Sequence, residues 1–259
     1  MPMKFTPIAN KPEWAGSSWE IASDDELAKL VARVALGQSH YALRVLQETG
    51  FIGPKAAATT LPGAIALLTA ANPKEPYHRD GWLFQVISWI AAHLQEPGSL
   101  IMEPHMIHAH KGFDGVHVRM NGTTGGVDTV VICEEKATKN ARKMVRDRIW
   151  KEFEGMEKGD NDHRLLSEVL VILKARGGID LDKAIEQLVW NNARAYRVAI
   201  TVADDAGYEE VFEGYGTVVA GDIARRRSEV LPLKDMRAWM QSIAAKAIED
   251  AKELAGAHV

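Results

Sequence analysis

Cysteine is almost absent from this chain. Cys133 is the only one, which excludes an internal disulfide framework and any cysteine-based zinc finger. No run of about 18 uninterrupted apolar residues occurs, so no membrane-spanning helix is expected. The opening stretch MPMKFTPIANKPEWAGSSWE lacks the apolar segment of a secretory signal. Neither sign of charge dominates. The net charge of −4 does not mark the whole chain as nucleic-acid binding, so any basic surface must be local. A glycine-rich phosphate loop is missing, which argues against an ATPase. No Ser-His-Asp arrangement can be read from spacing. These absences leave a soluble, cytoplasmic protein as the expectation, with no membrane partner.

What is present is ordinary globular composition: 259 residues, 46% hydrophobic and 25% charged, enough for one large domain or two small ones. Residues 1–22 carry Pro and Gly without sustained period and read as loop. Ser23 is a good N-cap for DDELAKLVARVAL, which has helical apolar spacing and acids in its first turn. Two more helices, SHYALRVLQETG and LPGAIALLTAAN, complete a helical N-terminal region over 1–76, with no repeat or low-complexity segment. DGWLFQVISWIAAHLQ follows, apolar nearly all round and so predicted to be buried.

The period then changes. SLIMEPHMIHAH, VHVRM and VDTVVICEE are rich in β-branched residues and separated by Gly-containing turns, so they read as strands. Helices are expected at about 138–154, 162–175 and 180–191, then a strand at AYRVAITVA and a long amphipathic C-terminal helix. This order predicts an α/β (α+β) fold with a mixed central β-sheet flanked by helices.

VVICEEK poses a question, because it ends the most apolar strand with two acids and a lysine. A hairpin centred on Thr124, in the turn NGTTGG, sets position 114 opposite position 134. Antiparallel neighbours share a face, so Asp114 and Glu134 are expected side by side. Period-two alternation adds Lys136 to that face and turns Glu135 away. Two carboxylates so placed repel unless a cation lies between them. Their hard oxygens suit Mg²⁺ or Mn²⁺, and a lysine beside such an ion can offset charge on a phosphate. Just downstream, Lys139, Arg142, Lys143 and Arg146 have the spacing of one helix face, with Val145, Ile149 and Phe153 as its buried side. That stripe is the expected DNA-binding element.

GFDG followed by a hairpin and VVICEEK resembles the PD-(D/E)XK, or restriction-endonuclease-like, nuclease superfamily, over roughly residues 79–202. The resemblance implies that residues 77–259 form a restriction-endonuclease-like core in which Asp114 and Glu134 hold the metal and Lys136 positions water. GFD stands where the family name has PD. Many members carry a glutamate on the preceding helix; here Gln85, with Trp89 one turn on, takes that place and brings no charge. The helical front end and size resemble nuclease subunits of bacterial antiphage systems such as the Hachiman type, which implies a second protein subunit such as a helicase.

Plainer readings stand beside these. Asp114-Gly115 is also a turn dipeptide, EEK also fits a solvated strand end, and a basic stripe is often only a solvated face. His105, His108, His110 and His117 read as structural or substrate-facing histidines rather than zinc ligands. ARRRSE reads as a surface loop. The functional expectation is a metal-dependent deoxyribonuclease. The alternative is a catalytically inactive nucleic-acid-binding or interaction subunit on the same fold.

Overall fold

A computed structural model of the chain describes residues 1–122, 126–177, 179–190, 193–204 and 206–256. Its spine is one seven-stranded sheet. The strands are β1 (Met3–Asn10), β2 (Trp14–Ile21), β3 (Leu100–Ile101), β4 (Gly115–Met120), β5 (Val127–Lys136), β6 (Arg194–Val202) and β7 (Arg226–Pro232). In space they run β1-β2-β7-β6-β5-β4-β3. The pairs β2–β7, β7–β6 and β6–β5 are parallel, and antiparallel pairs complete both edges. The mixed α/β sheet expected from the sequence is therefore present.

A parallel sheet needs cover on both faces, and the helices supply it. Before β3 lie α1 (Asp24–Ala35), α2 (Ser39–Gln47), α3 (Leu61–Leu68) and α4 (Tyr77–Gln95). Between β5 and β6 lie α5 (Ala141–Met144), a π-helical turn (Val145–Ile149) leading into α6 (Trp150–Glu157), α7 (Asp162–Arg176) and α8 (Leu181–Trp190). Two short helices, α9 (Tyr208–Val211) and α10 (Tyr215–Val218), precede β7, and α11 (Met236–Leu254) ends the chain. On one face α1, α3, α4 and α11 share a core with Trp19, Ala199 and Leu231 of the sheet. On the other, Val145, Ile149 and Phe153 pack with Val116, Val130, Ile132, Tyr196 and Val198. The apolar α4 is buried nearly all round, as expected. No described helix is long and apolar enough to cross a membrane.

Three segments differ from expectation. Residues 1–22, read as loop, contain the hairpin β1–β2. Pro7 is tolerated because β1 is an edge strand, where a missing N–H costs no ladder bond. Gly16 is required because β2 approaches β7 closely; a Cβ there would overlap the carbonyl oxygen of Ser228. The N-terminal 76 residues thus add two strands to the common sheet and share a core with α4 and α11, so no boundary at 76 divides the core. SLIMEPHMIHAH is strand only at Leu100–Ile101, and residues 102–114 form a loop. ARRRSE, read as surface, supplies β7. Its arginines are paired: Arg226 is buried and donates to the carbonyls of Pro12, Val219 and Gly221, each at 2.8 Å.

The hairpin register is as read. Gly115 pairs with Cys133 and Val116 with Ile132, so Asp114 falls opposite Glu134 one step beyond the ladder. A bulge at Arg119/Met120 absorbs one residue near the turn. Thr124, the expected turn centre, lies outside the described residues.

Candidate active site

Asp114 arrives at the site at the start of β4, and Glu134 and Lys136 at the end of β5. Both β5 residues continue the face of Val130 and Ile132, where α5, α6 and α7 pack. The Lys136 ammonium donates to Asp114 Oδ2 and lies 2.6 Å from Glu134 Oε2. Asp114 is further fixed by Gln85 Nε2, which donates to Oδ1 at 3.0 Å, and by the backbone N–H of Glu135, which donates to Oδ2 at 2.9 Å. All four residues named from the sequence for catalysis therefore meet. The side chains of Glu134 and Asp114 are 5% and 14% exposed, low enough for each charge to matter to the others.

The electrostatics follow from that burial. Burial, together with the charges of Asp114 and Glu152, pushes the Glu134 carboxyl well above the usual carboxylate range, although Lys136 pulls the other way. Burial works against the charge on Lys136, but Glu134 and Asp114 outweigh it and hold the ammonium well above its ordinary value. Lys136 is therefore a fixed cation. Glu135 points to the opposite face, as alternation requires. There it accepts from Ser88 Oγ at 2.6 Å and Arg197 NH1 at 3.3 Å. Burial raises its pKa to about 8 against the pull of Arg197.

The acids face a cavity of about 320 Å³. Its wall adds residues that the sequence reading did not single out: Lys111 from the 102–114 loop, Arg148 and Glu152 from the helix after β5, and Arg164 from α7. Four cations, counting Lys136, thus surround three carboxylates. Arg164 braces the wall by donating to the carbonyl of Lys111, with its guanidinium 5.8 Å from the Phe113 ring centre. The signal for Arg148 and Glu152 was their spacing of four residues on the helix that follows the acid-x-lysine strand. The π-helical turn fixes which face they take, and sequence spacing does not reveal such a turn.

The expected basic stripe is arranged differently. Lys139 lies in the loop before α5, not on the helix. Arg142 donates to the Glu213 carboxylate at 2.7 Å, and Lys143 and Arg146 both pair with Asp147, at 2.6 and 2.7 Å. None of the four lines the cavity. The histidines are structural or loop-forming. His108 Nε2 lies 2.9 Å from the Leu67 carbonyl, and the His105 and His110 rings stack with centres 3.5 Å apart. His117 is buried beside Cys133.

The donors fit a hard divalent ion. Glu134 Oε2 is buried and pairs with the Lys136 ammonium at 2.6 Å, beside the Asp114 carboxylate that the same ammonium also meets. Among the described residues no group of three or more His, Cys, Asp or Glu side chains converges as a ready-made cage. Mg²⁺ does not need one, since it keeps several waters and binds through one or two carboxylates plus substrate phosphate.

No protein-family model matches the chain, and no curated protein matches it in sequence.

Proposed function

We propose that the protein is a metal-dependent nuclease that hydrolyses phosphodiester bonds of DNA, on the pattern of the PD-(D/E)XK superfamily that its motif resembles. One observation carries the reading. Asp114, Glu134 and Lys136 converge at one end of an antiparallel pair and open on a cavity walled by Lys111, Arg148 and Arg164.

Asp114 and Glu134 would hold Mg²⁺ or Mn²⁺, which supplies Lewis acidity and lowers the pKa of a bound water. The chain's own residues do the rest. Gln85 and the N–H of Glu135 fix the Asp114 carboxylate in the cavity wall. Lys136, kept protonated by its two carboxylates, acts as a hydrogen-bond donor and a counter-charge for the phosphate in the transition state, and not as a base. Arg148, Arg164 and Lys111 hold the phosphates on either side. With a net charge of −4, non-specific attraction for DNA is weak, which favours a second protein subunit, of the helicase kind, to present the strand.

The test is cleavage of plasmid and linear DNA by purified protein with Mg²⁺, Mn²⁺ or EDTA. The expected result is cleavage with either ion and none with EDTA or in Glu134→Ala. Salt-dependent DNA binding without cleavage under any ion would instead indicate an inactive binding subunit. Cleavage that persists in EDTA would overturn the metal assignment.

A further inference from the structure

Residues 102–114 form a loop pinned at several points. Trp82 Nε1 donates to the His105 carbonyl at 2.7 Å, His108 Nε2 meets the Leu67 carbonyl at 2.9 Å, and Arg164 holds the Lys111 carbonyl. The stacked rings of His105 and His110 draw the two ends of the 105–110 segment together. What projects between them is apolar. Met106 and Ile107 are 44% and 58% exposed, two of only six large hydrophobic side chains so exposed among the described residues. Ala109, at the back of the tip, holds a φ of +53°, a left-handed conformation that costs a non-glycine residue about 1 kcal/mol or more. The loop is thus braced to keep two apolar side chains in water rather than fold them in. A single exposed apolar residue needs no explanation, but an adjacent pair on a braced loop does.

The position of the tip names its partner. His110, stacked on His105, and Lys111 are themselves part of the cavity wall that Arg148 and Arg164 complete. Met106 and Ile107 lie within five residues of that wall along a loop whose two histidines stack, so a duplex with a phosphate among those cations would come close to the tip. Aliphatic side chains at such a place insert between base pairs, partly unstack them and kink the duplex. We propose that Met106 and Ile107 form a wedge that enters a duplex DNA step beside the scissile phosphate. This rests on the nuclease reading and adds the substrate class: duplex DNA distorted at the cut.

The test uses duplexes carrying 2-aminopurine at successive positions, bound to the full-length protein in Ca²⁺. Fluorescence of this base rises when it is unstacked. The expected result is a several-fold rise at one or two adjacent positions. It is lost in Met106→Ser combined with Ile107→Ser and retained in Ile52→Ser, which removes an exposed apolar side chain elsewhere. Duplex binding without any fluorescence rise in the unaltered protein overturns the wedge and leaves the nuclease reading standing. So does an equal rise in the double variant. Failure of the unaltered protein to bind DNA at all, with no cleavage in Mg²⁺ or Mn²⁺, overturns both. Self-association that the double variant abolishes, with an unchanged DNA signal, assigns the tip to a protein contact and overturns the wedge.

Discussion

Glu134 and Glu135 are chemically identical neighbours with different surroundings, and substitution should separate them. Glu134→Ala removes one of two candidate metal ligands, and Lys136→Ala removes the cation that meets both carboxylates. Each is expected to lower metal-dependent cleavage by at least about a hundredfold, the scale of losing one electrostatic catalytic group, with the protein still folded. Plasmid nicking rates measure this. Glu135→Ala acts elsewhere. It strands Ser88 and the buried Arg197 without their carboxylate acceptor. The expected cost is about 3 kcal/mol of stability, read by urea denaturation, while the folded fraction still cuts DNA. Equal loss of cleavage in Glu134→Ala and Glu135→Ala, at equal stability, would contradict the two-faced arrangement. This contrast was legible in the sequence, because alternation along VVICEEK and a hairpin of that length fix the faces. The burial of Glu135 against Arg197 was not, since its partners lie 47 and 62 residues away along the chain.

At the scale of elements, the helix from Ala141 to Glu157 presents two sets of cations. Arg142, Lys143 and Arg146 are engaged with Glu213 and Asp147, whereas Arg148 lines the cavity together with Arg164. Arg148→Ala and Arg164→Ala are each expected to weaken DNA binding and to flatten its salt dependence, by about 0.9 in slope for each phosphate that is no longer neutralised. Neutralising Lys139, Arg142, Lys143 and Arg146 together should change that slope less than the Arg148/Arg164 pair does. Binding titrations across a range of salt decide the matter, and the reverse ranking would place the strand along the outer stripe. Elements with a clear local pattern, such as the amphipathic α1 and α11, the apolar runs of β5 and β6 and the all-round apolar α4, could be read from the sequence because that pattern alone determines them. β1, β2 and β7 could not. Pro7, Gly16 and three consecutive arginines look like loop until the edge position, the close backbone approach and the buried carbonyl partners are known.

For the whole molecule, the layer between α4 and the sheet holds charged and titratable groups that make folding sensitive to acid. Burial lowers the pKa of His93 to about 4. The unfolded chain takes up that proton near the ordinary 6.5, so the stability from neutral His93 is complete above 6.5 and is lost as pH falls toward 4. Burial also opposes the charge on Glu96, but Arg119 and Arg227 outweigh it and hold its pKa at about 2. Its contribution is complete above the ordinary 4.5 and disappears as pH falls toward 2. Between pH 8 and 4.5 the raised pKa of Glu135 adds stability as pH falls and so opposes His93, whereas below about 4.5 the loss from Glu96 is unopposed by it and the urea midpoint should decline. A midpoint that is flat from pH 4.5 to 2 would contradict the Glu96 assignment, and a His93→Gln variant whose midpoint falls as much as that of the unaltered protein between pH 6.5 and 4.5 would contradict the His93 assignment. The same layer ties the first hairpin to the last strand. Ser17 and Trp19 both donate to the buried Glu229, and Gly16 lies against Ser228 in the parallel β2–β7 pair. Ser17 and Glu229 are 212 residues apart in the chain. On the ribosome, β2 therefore waits with one edge unpaired until β7 is made. The sheet closes only after β7 emerges, a late and entropically slow step. Until then the newborn chain carries an open strand edge of the kind that recruits chaperones or other nascent chains.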